Sequence, residues 1–278
     1  MKVAVIQMVS CATLAPNLAS AAELLTRAAD SGAELAVLPE YFCILGRRDT
    51  DKLALRETFG AGPIQDFLAK AAQRLGLWIV GGTLPLSIAG EAGATAPAAK
   101  VTNTSLVFAA DGHCAARYDK IHLFRFDNGV ERFDESRVLA PGAAPALFEM
   151  PSRDGHRWRV GMSVCYDLRF PELYRLYARQ GADLLLAPSA FTHVTGQAHW
   201  DILVRARAIE NQCFAAAAAQ GGRHENGRTT WGHSMLVGPW GEVLGLQTQG
   251  EGVVCAELSL AERQTAGAKL PALDHRVL

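Results

Sequence analysis

Glu34–Leu38 carries an unbroken apolar run, Leu35-Ala-Val-Leu38, between two helical patterns at Pro16–Gly32 and Gly62–Gly76. A short run with no polar alternation reads as a strand buried on both faces. The flanking patterns supply cover, since Leu18, Ala21, Ala22, Leu25 and Ala28–Ala29 turn one face of the first helix inward. Lys2–Gln7 reads as a strand before that helix and Leu77–Leu84 as a strand after the second. Strands that alternate with helices in this way imply a layered α/β fold.

The rest of the chain adds hairpins to that frame. Ser87–Lys100 is rich in Gly and Ala and reads as a loop at a hairpin tip. Val101–Ala110 and Cys114–Asp119 flank Asp111-Gly112, a two-residue turn signal. Ile121–Gly142 is charged and aperiodic, which predicts an ordered loop of the kind that carries function. Leu147–Met150 and Trp158–Val164 bracket a turn at Asp154-Gly155. Asp183–Ala187 and Phe214–Gln220 read as strands around a helix at Thr195–Gln212. Ser234–Gly238 and Val243–Gln247 pair about Pro239-Trp-Gly241, and Val253–Leu258 is a last strand before a polar tail. With no linker and no internal repeat, residues 1–278 are expected to form one domain.

Composition removes several classes of function. Hydrophobic residues make up 49% and charged residues 20%, enough for a large core and too apolar for disorder. A net charge of −1 with both signs dispersed argues against a nucleic-acid partner. The longest apolar run, Phe214–Ala219, is too short to span a bilayer, so no membrane partner is expected. The first residues lack the apolar region of a secretory signal. Six cysteines are scattered without CxxC spacing, which points away from a zinc site or a disulfide framework and toward a reducing cytoplasm.

Chemistry concentrates where strands end. Gly161–Arg179 reads as a buried strand, a sharp turn at Cys165 and a helix opened by Pro171. A cysteine at a strand's carboxyl end facing a helix N-terminus sits where sulfur readily becomes thiolate, although a structural buried cysteine suits the pattern equally. Glu40 and Lys120 also follow strands. A thiol nucleophile needs a base, which a carboxylate can be; a lysine and the backbone N–H of Tyr166 could hold an oxyanion. Taken singly, Glu40 reads as a surface acid and Lys120 as a solvated charge. A Cys–His dyad is an alternative, with eight histidines available and none singled out by its surroundings.

Leu38-Pro39-Glu40, Tyr118-Asp-Lys-Ile-His-Leu-Phe124 and Gly161-Met-Ser-Val-Cys-Tyr-Asp-Leu-Arg-Phe-Pro-Glu172 resemble, in order, the three signature blocks of the nitrilase superfamily. The resemblance implies an α-β-β-α sandwich that uses no metal and no cofactor. It also implies a triad of Glu40 as base, Lys120 as oxyanion support and Cys165 as nucleophile, acting through a thioester on small amides. A further glutamate is implied between the lysine and cysteine blocks; Phe133-Asp-Glu-Ser136 followed by Pro141-Gly142 selects Glu135 over Glu131. Pro188–Phe191, Thr195–Trp200, Arg205–Gln212, Gly222–His224 and Gly232–Met235 resemble the Nit branch. That branch implies amidases of α-keto acids, those acting on deaminated glutathione ahead of those acting on α-ketoglutaramate. Tyr166-Asp167 stands where true nitrilases carry Trp-Glu, which points away from nitriles.

Substrate contacts are expected from Arg169, Phe191, Thr192 and Arg223. Arg169 could meet a carboxylate bidentately or simply pair with Asp167 or Glu172. Apolar residues on the helices Glu172–Gln180 and Ala198–Gln212 suggest a homodimer or larger homo-oligomer, as does the resemblance. A binding module that kept this fold without its chemistry is a second reading. A redox-sensing protein is a third, with Cys213 as the candidate partner of Cys165.

Overall fold

The computed structural model describes residues 1–88, 100–130 and 132–277. The loop expected over Ser87–Lys100 falls largely outside these residues, as does Glu131.

The strand Lys2–Gln7 shows how the layers arise. Val3 and Val5 face one core cluster with Val160 and Leu184, whereas Ala4 and Ile6 face another with Leu24, Leu25 and Leu68. Side chains alternate across a strand, so covering both faces places one sheet on another sheet and on helices. Leu35–Val37 pairs in parallel with Lys2–Gln7 and with Trp78–Val80, and all three of its residues are buried. Helices Leu14–Asp30 and Pro63–Leu75 cover the outer face of this sheet, which also contains Leu84–Ser87, Val101–Phe108, Cys114–Asp119 and Gly252–Glu257.

The second sheet runs in the order Leu147–Pro151, Arg157–Gly161, Leu184–Leu186, Phe214–Ala217, Ser234–Val237 and Val243–Gln247. Its middle strands are parallel and its margins antiparallel. Helices Pro171–Arg179 and His193–Asn211 contribute Tyr174, Tyr177, Trp200 and Ala208 to its core. The layers are therefore helix, sheet, sheet, helix, the α-β-β-α sandwich implied by the motif blocks.

Three segments differ from the sequence reading. Leu77–Leu84 breaks into Trp78–Val80 and Leu84–Ser87. Gly82 has φ +48°, and a Cβ there would lie 2.0 Å from the Pro39 carbonyl oxygen. The break thus lets the backbone pass against the turn that carries Glu40. Ile121–Gly142 is not a plain loop: Arg125–Asp127 pairs with Arg132–Asp134, and a 3₁₀ turn follows at Glu135–Arg137. Three phenylalanines, Phe124, Phe126 and Phe133, pack ring to ring at 5.9–6.5 Å and order it without apolar periodicity. The polar tail contains a helix, Leu260–Lys269, only Ala266 of which is buried. No helix among the described residues is long and apolar enough to cross a membrane.

Candidate active site

Glu40, Lys120 and Cys165 each follow a strand, and the sandwich brings those strand ends together. Two backbones take the left-handed conformation there, Tyr41 at φ +58° and Cys165 at φ +52°. Outside glycine this conformation is costly and persists only where the surroundings over-determine it. At Cys165 the extended backbone of Val164 turns into a 3₁₀ helix, Cys165–Arg169, while the Cys165 N–H donates to the Pro188 carbonyl at 2.9 Å.

Asp167 binds this turn to the strand that carries Lys120. Its buried carboxylate accepts from Val164 N at 2.8 Å, Tyr118 Oη at 2.8 Å and His122 N at 3.1 Å, with His122 Nδ1 at 2.7 Å. Tyr118 and His122 flank Lys120 by two residues on either side. Arg169 accordingly pairs with neither Asp167 nor Glu172; it approaches His199 Nδ1 at 3.3 Å and lies over the Phe191 and Tyr166 rings.

Lys120 is fully buried, and its ammonium joins two carboxylates. Nζ donates to Glu40 Oε1 at 2.9 Å and to Glu135 at 2.8 and 3.0 Å. Glu40 Oε1 also accepts from Asn103 Nδ2 at 2.9 Å. Glu135 further accepts from Tyr41 Oη and Phe124 N, each at 2.7 Å. The Cys165 thiol and the Glu40 carboxylate border the same cleft and lie close enough for the Glu40 charge to act on the sulfur.

The charges divide by surroundings. Burial raises Glu40 above the ordinary carboxylate range, against the pull of Lys120. Burial pushes Glu135 in the same direction, but Lys120 and Lys52 outweigh it and hold Glu135 low. Lys120 is raised well above its usual value because its two carboxylates overcome the cost of burial. Burial, and then the Glu40 carboxylate, push the Cys165 thiol well up. This corrects the expectation that the strand-end position makes a ready thiolate. The turn that follows is a short 3₁₀ helix, and a buried carboxylate faces the sulfur.

A cleft of about 730 Å3, counted out to its open mouth, leads to this cluster and is lined by Glu40, Glu135, Cys165, Phe133, Lys52 and Arg228 among others. A smaller recess of about 220 Å3 meets it at Cys165 and is walled by Tyr166, Arg169, Phe191 and Thr192. Four of the expected contact residues thus separate: Arg169, Phe191 and Thr192 border the recess, and Arg223 does not. Arg223 is exposed and bridges to Thr229. His224 in the same loop is buried between Ser10 O and Thr230 Oγ1 at 2.9 and 2.8 Å. The cation from that loop is Arg228, over the Phe133 ring at 4.3 Å. Lys52, on the short helix Asp51–Ala54 that the sequence reading passes over, is the second missed cation. Asn103 and Tyr41 are missed because a strand interior and a post-strand loop give neither a distinctive setting.

A helix–sheet–sheet–helix sandwich with a cysteine, a glutamate and a lysine buried at its strand ends is the frame of an enzyme of amide chemistry. The chain belongs to the carbon-nitrogen hydrolase family, whose model matches residues 2–268. It is an amidase, a hydrolase of carbon-nitrogen bonds other than peptide bonds, on the Nit branch of the nitrilase superfamily. It is 41% identical to a deaminated glutathione amidase of Synechocystis over 99% of this chain and 97% of that one. It is 34% identical to the omega-amidase NIT2 of Danio rerio, over 99% and 94%. Among solved structures, yeast Nit3 superposes with a TM-score of 0.86 at 29% identity, covering 100% and 97% of the two chains. An amidase from Nesterenkonia matches with a TM-score of 0.75 at 27% identity, over 98% of each chain; in that structure acrylamide has added to the active-site cysteine.

Proposed function

We propose that this amidase hydrolyses the ω-amide of an α-keto acid, deaminated glutathione, with Cys165 as nucleophile, Glu40 as general base, Lys120 as oxyanion support and Glu135 as positioning carboxylate. Sulfur attacks the amide carbonyl as Glu40 takes the thiol proton, so no resting thiolate is needed. The oxyanion is held by Lys120 Nζ and the Tyr166 backbone N–H. Glu40 passes the proton to the leaving nitrogen as the C–N bond breaks, leaving a thioester on Cys165. Water, deprotonated by Glu40, attacks the thioester; the acid departs and the thiol is restored.

The observation that carries this reading is the buried chain from thiol to carboxylate to ammonium. The Glu40 charge acts directly on the Cys165 thiol, and one Glu40 oxygen is pinned by Lys120 and Asn103 at 2.9 Å each. A base raised by burial lies closer to working pH, where proton transfer is most effective. Glu135, held low, keeps Lys120 charged and aimed. Arg169, on the recess wall with Phe191 and Thr192, suits the carboxylate of the keto acid. No metal or cofactor enters this scheme.

The names of the relatives support an α-keto ω-amide as substrate, and steady-state hydrolysis of deaminated glutathione and α-ketoglutaramate, with Cys165→Ala as control, tests it. A higher kcat/KM on deaminated glutathione is expected. A reversed preference moves the assignment to ω-amidase, and turnover retained by Cys165→Ala would refute the mechanism.

The cytoplasm is the proposed compartment, supported by six free cysteines. Assembly as a homodimer through the helix His193–Asn211 is proposed as well. Ile202 there is 68% exposed and Ile209 46%. The helix Pro171–Arg179, by contrast, buries Leu173, Tyr174 and Tyr177 within its own chain.

A further inference from the structure

We infer that the larger cleft is the leaving-group side of the site, and that Lys52, flanked by Arg228, selects amides whose departing amine ends in a carboxylate, as a dipeptide does. This rests on the reaction proposed above and adds a residue that determines specificity.

The two spaces beside Cys165 differ in what faces them. Glu40 borders the larger cleft and is absent from the wall of the recess. The group that hands the proton to the departing nitrogen must face that nitrogen, so the amine leaves into the cleft and the acyl chain occupies the recess. Ammonia, the alternative leaving group, needs no such space.

The cleft also holds cations that take no part in the proton transfers, although Lys52 helps to hold Glu135 low. Lys52 is half-buried, with Nζ 4.4 Å from the Tyr41 ring centroid, and makes no ion pair or hydrogen bond among the described residues. Arg228 stands over Phe133 and reaches Asp49 only at 3.7 Å, with 40% of its side chain exposed. The acids that share the cleft are largely occupied. Glu135 is taken up by Lys120, Tyr41 and Phe124, and Asp134 accepts from Ser136 N and Oγ at 3.1 and 2.6 Å. Lys52 is therefore the cation left to meet an incoming anion, with Arg228 exchanging Asp49 for it. A half-open site of this kind favours a carboxylate by an amount set by one charge-assisted contact.

The experiment compares α-ketoglutaramyl amides of glycine and of glycinamide, which differ in whether the leaving amine bears a carboxylate. Wild-type enzyme is expected to show a kcat/KM ratio of about tenfold or more in favour of glycine, the worth of one such contact. Lys52→Met should collapse the ratio toward unity and Lys52→Arg restore most of it, with Arg228→Gln intermediate. A wild-type ratio near unity, or a ratio unchanged by Lys52→Met, overturns the inference, while Cys165-dependent turnover of both amides leaves the proposed reaction standing. A second readout needs no turnover: protection of Cys165 from alkylation by the thiol-free dipeptide serylglycine against its C-terminal amide. Better protection by the free acid, lost in Lys52→Met, supports the subsite; equal protection by the two refutes it, whatever the enzyme hydrolyses.

Discussion

Lys120 is one ammonium shared by two buried carboxylates, so the three charges depend on one another. Lys120→Met leaves Glu40 and Glu135 facing each other unpaired, which should cost about 3–5 kcal/mol of stability as well as activity. Glu40→Gln behaves differently. Its raised pKa means that the fold favours the protonated form, so above that pKa the ionised side chain weighs against folding. The amide removes that load: turnover should fall by about a thousandfold or more while the thermal midpoint stays level or rises. A clearly lowered midpoint, by calorimetry, would contradict this account. The same shift sets the acid limb of kcat/KM. As the general base of the proposed reaction Glu40 must be ionised, so activity is expected to fall as pH drops through its raised pKa, above the usual carboxylate value. Glu135→Gln removes a like charge that helps to raise Glu40, and the limb should move to lower pH. An unmoved limb in that variant would show that the two carboxylates are not coupled.

The elements of the site are joined through Asp167, which fastens the turn of Cys165 to both neighbours of Lys120. Asp167→Ala strands a buried phenol and two backbone N–H groups and should lower stability by about 1–3 kcal/mol for each group left unsatisfied. Because Cys165 and Lys120 then lose their common anchor, kcat should fall more than KM rises if they act as proposed. Equal effects on both constants would assign Asp167 to substrate binding instead. The turn at Cys165 is legible in sequence, since a strand, a proline at the next helix start and a closing glycine mark it. The role of Asp167 is not, because its partners lie 45 and 49 residues away.

For the whole molecule, the open question is how the exposed apolar residues of His193–Asn211 are covered. If two copies pair through that helix, sedimentation at micromolar concentration should show a dimer, and Ile202→Glu should shift it toward monomer. A wild-type monomer would refute the pairing and leave Ile202 as an isolated surface residue.

The layered α/β plan was legible from local pattern alone. An apolar strand between amphipathic helices can be covered in few ways, and that constraint is carried by residues close in sequence. Glu40, Lys120 and Cys165 could be singled out for the same reason, since each follows a recognisable strand within a motif block. What only the tertiary structure decided is which charges meet. The pairing of Lys120 with Glu135, the occupation of Asp167 by Tyr118 and His122, and the exchange of Arg223 for Arg228 at the cleft all depend on segments brought together across the sandwich. Electrostatic interactions act through space and depend on burial, and periodicity along a chain encodes neither the distance between two side chains nor the water excluded from around them.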